Sequence, residues 1–151
     1  VGIVSSGGTG TYDITGSYPG VTEVQAGSYA TMDAHYRDAV GVDFCCALFI
    51  VAQVISAIRP DVVIIDAGSK TMTQDFGLPI VAWPEGWRLV GLSEEHGKLR
   101  REDGPPLRPG DRVRIWPNHG CTTINLHDWY VALRDGAVEG FWPIAARGKI
   151  R

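Results

Sequence analysis

Leu48-Phe49-Ile50-Val51-Ala52-Gln53-Val54-Ile55-Ser56-Ala57, then Ile58-Arg59-Pro60, then Asp61-Val62-Val63-Ile64-Ile65-Asp66, is the stretch that decides the fold. Two runs rich in β-branched residues flank a short proline-containing break, which reads as two strands and a turn. The apolar run from Phe44 to Ile58 is broken by Gln53 and Ser56. It falls short of the ~20 residues that a membrane-spanning helix needs, so it reads as buried core.

Outward towards the C-terminus the pattern stays β-rich. Trp87 to Leu92 and Arg112 to Trp116 read as further strands, with the proline-rich Gly104 to Gly110 loop between them. Trp129 to Leu133 and Val138 to Ile144 flank Arg134-Asp135-Gly136, whose Asp-Gly pair predicts a hairpin because both residues accept positive φ. Short strands at this spacing predict an all-β barrel or sandwich.

Towards the N-terminus, Val1-Gly2-Ile3-Val4 reads as a buried strand. It enters the glycine-rich loop Ser5-Ser6-Gly7-Gly8-Thr9-Gly10-Thr11, whose N–H groups could line an anion pocket. The loop matches neither the Walker pattern nor the dinucleotide fingerprint, and a plain flexible turn is the other reading. Thr22 to Tyr29 reads as a short strand ending in a second Gly-Ser turn. Two strands that each end in such a loop suit phosphate binding at one end of a parallel barrel. Tyr29 either hydrogen-bonds a ligand there or closes the barrel end. Met32 to Val40 is expected to form a short helix or turn, with Gly41 as a break between two regions.

With 151 residues, 44% hydrophobic and 21% charged, the chain fits one ordinary domain with a real core. A net charge of -3, and no basic cluster beyond Lys98-Leu99-Arg100-Arg101, argue against a nucleic-acid face. That basic group is expected in a solvated turn, and no membrane partner is expected. Three cysteines, two of them adjacent (Cys45 and Cys46), make a poor disulfide framework and suggest a reducing, cytoplasmic setting. Without an initiator Met or a signal pattern, the sequence is expected to be a piece of a longer protein.

Chemistry concentrates in Pro117-Asn118-His119-Gly120-Cys121. If this segment is extended, His119 and Cys121 point to one side and reach a common borderline-soft metal ion such as zinc. Two protein ligands leave positions open for water or substrate. The loop Asp66-Ala67-Gly68-Ser69-Lys70 and the nearby Asp75 either line a site, with Lys70 pairing a phosphate or carboxylate, or carry a surface ion pair. Ser93-Glu94-Glu95-His96-Gly97 is either a proton relay or a polar hairpin tip, so His96 is a candidate for acid/base work or metal support. His127 could support a ligand by hydrogen bonding. His35 has no evident partner.

The segments SSGGTGT, EVQAGSYATMD, DAGSKTMTQD, LSEEHG and PNHGCTTINLHD occur here in an order that resembles the C-terminal portion of D-threonine aldolases and D-serine dehydratases. Those are pyridoxal-phosphate enzymes of the alanine-racemase fold type. The resemblance implies a mainly β chain, α+β overall. The last strands and phosphate loops of a (β/α)8 barrel would lie in residues 1–40, and a β-barrel or sandwich domain in 41–151. It implies that His119 and Cys121 bind zinc or manganese beside the cofactor. It also implies that Gly8, Thr9, Gly10, Thr11, Gln25, Gly27, Ser28 and Tyr29 bind pyridoxal phosphate. His96, His127, Lys70 and Asp75 would support this site or that of a partner subunit in a homodimer.

The implied function is a lyase on β-hydroxy-D-amino acids, cleaving them to glycine and an aldehyde; the alternative is a D-serine dehydratase giving a keto acid and ammonia. The family's Schiff-base lysine lies early in its barrel, and Lys70, Lys98 and Lys149 fall in the wrong segments to replace it. This stretch is therefore expected to be inactive alone. A non-catalytic metal-binding β-domain or fragment is the reading from another class.

Overall fold

The computed structural model describes residues 2–149, apart from the side chain of Ile58. Val1, the start of the expected first strand, lies outside the described residues, as does the Ile58 side chain at the end of the expected core run.

The deciding stretch forms β3 (Ile50–Arg59) and β4 (Val62–Ile65), which pair antiparallel. Only Pro60 and Asp61 separate them, because Pro60 has no N–H to continue the ladder. β5 (Ile80–Trp83), β6 (Trp87–Leu92), β7 (Gly97–Arg101) and β8 (Arg112–Trp116) complete a six-stranded antiparallel sheet in the order β5-β8-β3-β4-β7-β6. The two outermost strands, β5 and β6, are joined by Pro84-Glu85-Gly86 and touch. The sheet thus curls into a nearly closed barrel, which limits exposed strand edges.

Alternation sets the core. Val113 and Ile115 of β8 are buried and alternate with exposed Arg112 and Arg114, and on β7 Leu99 is buried between exposed Lys98 and Arg100. Full burial of a side chain such as Leu99 stabilises the fold by about 1.5–3 kcal/mol. The basic cluster therefore does not form a solvated turn; it is the outer face of a strand, and one inward leucine fixes its register. The apolar run is not uniformly core either. Ala52 and Val54 point inward, whereas Val51 and Ile55 are 53% and 45% exposed.

β9 (Trp129–Arg134) and β10 (Ala137–Pro143) form a separate hairpin. Its turn has Asp135 at φ 51° and Gly136 at φ 80°, the positive pair that the Asp-Gly signal predicts. This hairpin leaves Trp129, Phe141 and Trp142 more than half exposed.

In the N-terminal region β1 (Ser5–Ser6) pairs parallel with β2 (Glu23–Val24). β1 falls on the first two residues of the expected glycine-rich loop. Residues 2–4 of the expected strand are not in a strand, and Ile3 is 69% exposed rather than buried; β2 is shorter than expected. A 3-10 turn at Thr9–Thr11 and the short helix α1 (Tyr12–Gly16) follow the first loop. Tyr36–Val40 forms a π-helical turn ended by Gly41 at φ 77°, a left-handed position suited to glycine. Among the described residues, no helix is long and apolar enough to cross a membrane. The chain is mostly β with few helices.

Candidate functional site

The His-Gly-Cys segment is not extended throughout. His119 is extended (φ -133°, ψ 108°) and caps the short helix α2 (Gly120–Ile124), so Cys121 already sits in the first helical turn. The same-side geometry expected of an extended segment therefore does not apply, because the helix starts one residue before the thiol.

The His119 ring is held from two directions. Its Nδ1 hydrogen-bonds the Asp75 carboxylate, and its face stacks on Phe76 with centroids 4.3 Å apart and planes 19° apart. Phe76 is held in turn, because its carbonyl accepts from Asn118 Nδ2 at 2.9 Å. Asp75 also accepts from Thr122 Oγ1 at 3.2 Å. Burial pushes the Asp75 carboxyl up, but hydrogen bonds from Thr73, His119 and the backbone outweigh it and bring it down to about 2. With Nδ1–H donating to this carboxylate, Nε2 presents a lone pair. A carboxylate behind the imidazole is the support that metal-bound histidines use.

Cys121 lines a cavity of about 410 Å³ that both glycine-rich loops also line, through Gly8, Thr9, Gln25, Gly27 and Ser28. Its Sγ lies 3.9 Å from Ser28 Oγ. That volume is within the span of small-molecule sites. Thr9 is buried and its Oγ1 accepts from Tyr29 N at 3.1 Å, so it ties the two loops together. At Gly8 and Gly27 a Cβ would meet nothing within 4 Å, which leaves the backbone open to a ligand.

Other expected positions lie elsewhere. Gly10 packs against Tyr36 and Val40, where a Cβ would come within 3.1 Å of Val40. Thr11 Oγ1 accepts from Gly8 N and from Thr15 Oγ1, and the Tyr29 ring lies near Phe44. Lys70 pairs with Glu95 at 2.9 Å and Glu94 at 3.4 Å, and these carboxylates hold its ammonium above the ordinary value. His96 is exposed in the same β6–β7 turn. His127 Nε2 bonds the Thr71 carbonyl at 2.8 Å, below the loop that carries Asp75. His35 has a partner after all, with its ring 4.5 Å from Phe76.

Sequence reasoning passed over several residues of this site. Asp33 is buried and accepts from Gly120 N, while Tyr36, Ile124 and Tyr130 line the cavity. Asp33 stood inside a quoted segment, but nothing local marks it as the partner of a turn 87 residues away. Among the described residues no group of three or more His, Cys, Asp or Glu side chains converges on a metal position. The donors that do exist, an imidazole nitrogen and a thiol, suit zinc or a similar borderline ion.

A nearly closed antiparallel barrel, bearing a His-Gly-Cys turn over a cavity floored by two glycine loops, defines the class, and sequence comparison specifies it. The chain belongs to the family described as "Putative serine dehydratase domain", whose model matches residues 47–133. It is 42% identical to a 3-hydroxy-D-aspartate aldolase of Paracoccus denitrificans over 97% of this chain and 40% of that protein. The structure of a D-threonine aldolase from Filomicrobium marinum superposes with a TM-score of 0.90 at 33% identity, over 99% of this chain and 42% of the other.

The D-threo-3-hydroxyaspartate dehydratase of Delftia sp. HT23 superposes with a TM-score of 0.79 at 34% identity, over 94% of this chain and 44% of that one. Mutants of that dehydratase have been solved in which a histidine and a cysteine two positions later are each replaced by alanine, the cysteine mutant in a metal-free form. The chain spans about 40% of the length of the curated relatives it matches.

Proposed function

We propose that this chain forms the metal-bearing and phosphate-facing part of a pyridoxal-phosphate- and divalent-metal-dependent lyase acting on β-hydroxy-D-amino acids, in the manner of a D-threonine aldolase. The observation that carries the reading is the single cavity shared by Gly8, Gly27, Ser28 and Cys121. It draws support from relatives whose names are those of aldolases and dehydratases of hydroxylated D-amino acids.

Open backbone at Gly8 and Gly27, with the Ser28 hydroxyl, suits an anionic phosphate in this reading. When bound, pyridoxal phosphate supplies an electron sink for charge developing at the substrate Cα. His119 and Cys121 are the residues that would hold the divalent ion, which supplies Lewis acidity towards the substrate β-hydroxyl. The His-x-Cys spacing equals that of the mutated pair in the Delftia dehydratase, which supports this assignment. Asp75 orients the His119 ring and holds its Nδ1 proton, so that Nε2 stays available. Thr122, whose hydroxyl lies 2.7 Å from that of Thr73, donates to Asp75 and helps to fix it.

A β-elimination in the manner of a D-serine dehydratase is the second reading, favoured by the matching domain model and the Delftia relative. The lysine that would anchor the cofactor is assigned to chain beyond this sequence. The exposed aromatic hairpin supports a homodimer, which analytical ultracentrifugation of the full protein tests.

The deciding experiment incubates the full protein containing this chain, loaded with pyridoxal phosphate and zinc or manganese, with D-threonine and with D-serine. Glycine plus acetaldehyde from D-threonine is expected. Pyruvate and ammonia from D-serine alone would replace the aldolase reading with the dehydratase one, and consumption of neither would reject both.

A further inference from the structure

α2 sends two side chains into the cavity, Cys121 and Ile124. They are three residues apart, so one lies above the other on a single helix face. Thr122 and Thr123 point the opposite way, to Asp75 and Thr73. Tyr130 of β9 and Tyr36 add aromatic side chains to the same lining. The cavity therefore combines the polar backbone and hydroxyls of the glycine loops with aliphatic and aromatic surface, and the thiol lies 3.9 Å from the Ser28 hydroxyl.

We infer that Ile124 and Tyr130 set side-chain specificity, selecting β-hydroxy-D-amino acids with a neutral, apolar β-substituent over those that carry a second carboxylate. The inference rests on the reading in which Cys121 serves the substrate hydroxyl. With the hydroxyl at Cys121, the β-carbon sits beside α2, and its remaining substituent extends along the face that Ile124 continues. Among the described residues lining the cavity none is Lys, Arg or His. A carboxylate placed there loses its water without gaining a cationic partner, whereas a methyl or phenyl group gains by burial. Tyr130 contributes surface rather than charge, so its ring matters more than its hydroxyl.

The test compares kcat/KM of the metal- and cofactor-loaded full protein for D-threonine and for 3-hydroxy-D-aspartate. The wild type is expected to favour D-threonine by about tenfold or more, the discrimination that one pocket contact commands. Ile124→Lys is expected to move that ratio by about tenfold towards the diacid, and Tyr130→Phe to leave it within about threefold. Metal content and thermal unfolding report whether each variant is intact. If Ile124→Lys does not fold, Ile124→Ala replaces it and is expected to raise the rate with a bulkier neutral substrate, D-phenylserine, relative to D-threonine.

A wild type that prefers the diacid, an intact Ile124→Lys with an unmoved ratio, or an Ile124→Ala indifferent to substrate size overturns the inference and leaves the lyase reading standing. A wild type inactive on both substrates overturns the two together.

Discussion

Asp33 Oδ2 accepts a hydrogen bond from Gly120 N at 2.8 Å, so a buried carboxylate holds the peptide between the two candidate metal ligands. Its other oxygen, Oδ1, accepts from Tyr36 N at 2.9 Å. The adjacent Ala34 N donates to the Pro117 carbonyl at 2.9 Å, which makes a second tie to the same turn. Met32, fully buried with φ 53°, turns the chain sharply enough to present these groups. A Cβ at Gly120 would stand 3.4 Å from the Asp33 carboxylate, ordinary van der Waals contact, so the tie is the hydrogen bond rather than a steric demand for glycine.

Asp33→Ala is expected to destabilise the full protein by about 1–3 kcal/mol, because it leaves the Gly120 and Tyr36 N–H groups without their acceptor. Asp33→Asn retains one acceptor oxygen and is expected to lose less. Urea unfolding checks the order of the two, and equal losses would reduce Asp33 to a packing residue.

Asp75 acts on the ligand rather than on the fold. More than a third of its side chain is exposed, so its removal is expected to leave thermal stability nearly unchanged. Asp75→Ala frees the His119 ring to rotate and to protonate at either nitrogen, which is expected to weaken metal binding by about 10–100-fold. Chelator competition measures this. Unaltered affinity would detach Asp75 from the metal site.

The barrel was legible where alternation was strong. β3, β4, β6, β8 and the β9–β10 hairpin announce themselves by β-branched runs and an Asp-Gly turn, whereas β7 hides its single inward leucine among Lys98, Arg100 and Arg101. β5 is only four residues long between Pro79 and Pro84, so it offers too short a pattern to read. The His-Gly-Cys turn was visible as chemistry, but its conformation was not, because the helix that begins at Gly120 depends on Asp33 far away in sequence. The apolar part of the cavity lining was invisible for the same reason. Ile124 and Tyr130 look like ordinary core residues until α2 and β9 bring them beside Cys121.

The placement of the basic cluster on β7 is open to a direct test. Leu99→Ala empties a fully buried position in the barrel and is expected to cost about 2–5 kcal/mol. Lys98→Ala and Arg100→Ala, on the outer face, are expected to stay within about 0.5 kcal/mol. Thermal unfolding of the three variants distinguishes a strand from a solvated turn, in which all three would be tolerated alike.

Two glycines separate backbone strain from close packing. Gly136 has φ 80° with open space around it, so Gly136→Ala meets only the left-handed penalty of about 1–2 kcal/mol. Gly68 is different, because a Cβ there would stand 2.5 Å from both Ser93 O and His96 N in the β6–β7 turn. Gly68→Ala must therefore push the Asp66–Lys70 loop off the barrel, and a larger fall in melting temperature is expected. Equal melting temperatures would mean that this turn yields easily.

Metal content decides between the histidines. His119 offers a free Nε2 next to a carboxylate-anchored Nδ1, and Cys121 offers an exposed thiol, whereas His127 commits Nε2 to the Thr71 carbonyl and His96 sits in an exposed turn. His119→Ala and Cys121→Ala are each expected to reduce bound metal from about one ion per chain to near zero, since two protein ligands leave no redundancy. His96→Ala is expected to leave metal content unchanged, and His127→Ala to lower affinity at most modestly through the Thr71–Asp75 loop. Because the barrel core is built without any metal ligand, chelation is expected to leave the circular dichroism of the full protein nearly intact. Unfolding on chelation would instead assign the ion a structural role, and retention of metal by the Cys121→Ala variant would remove the thiol from the site.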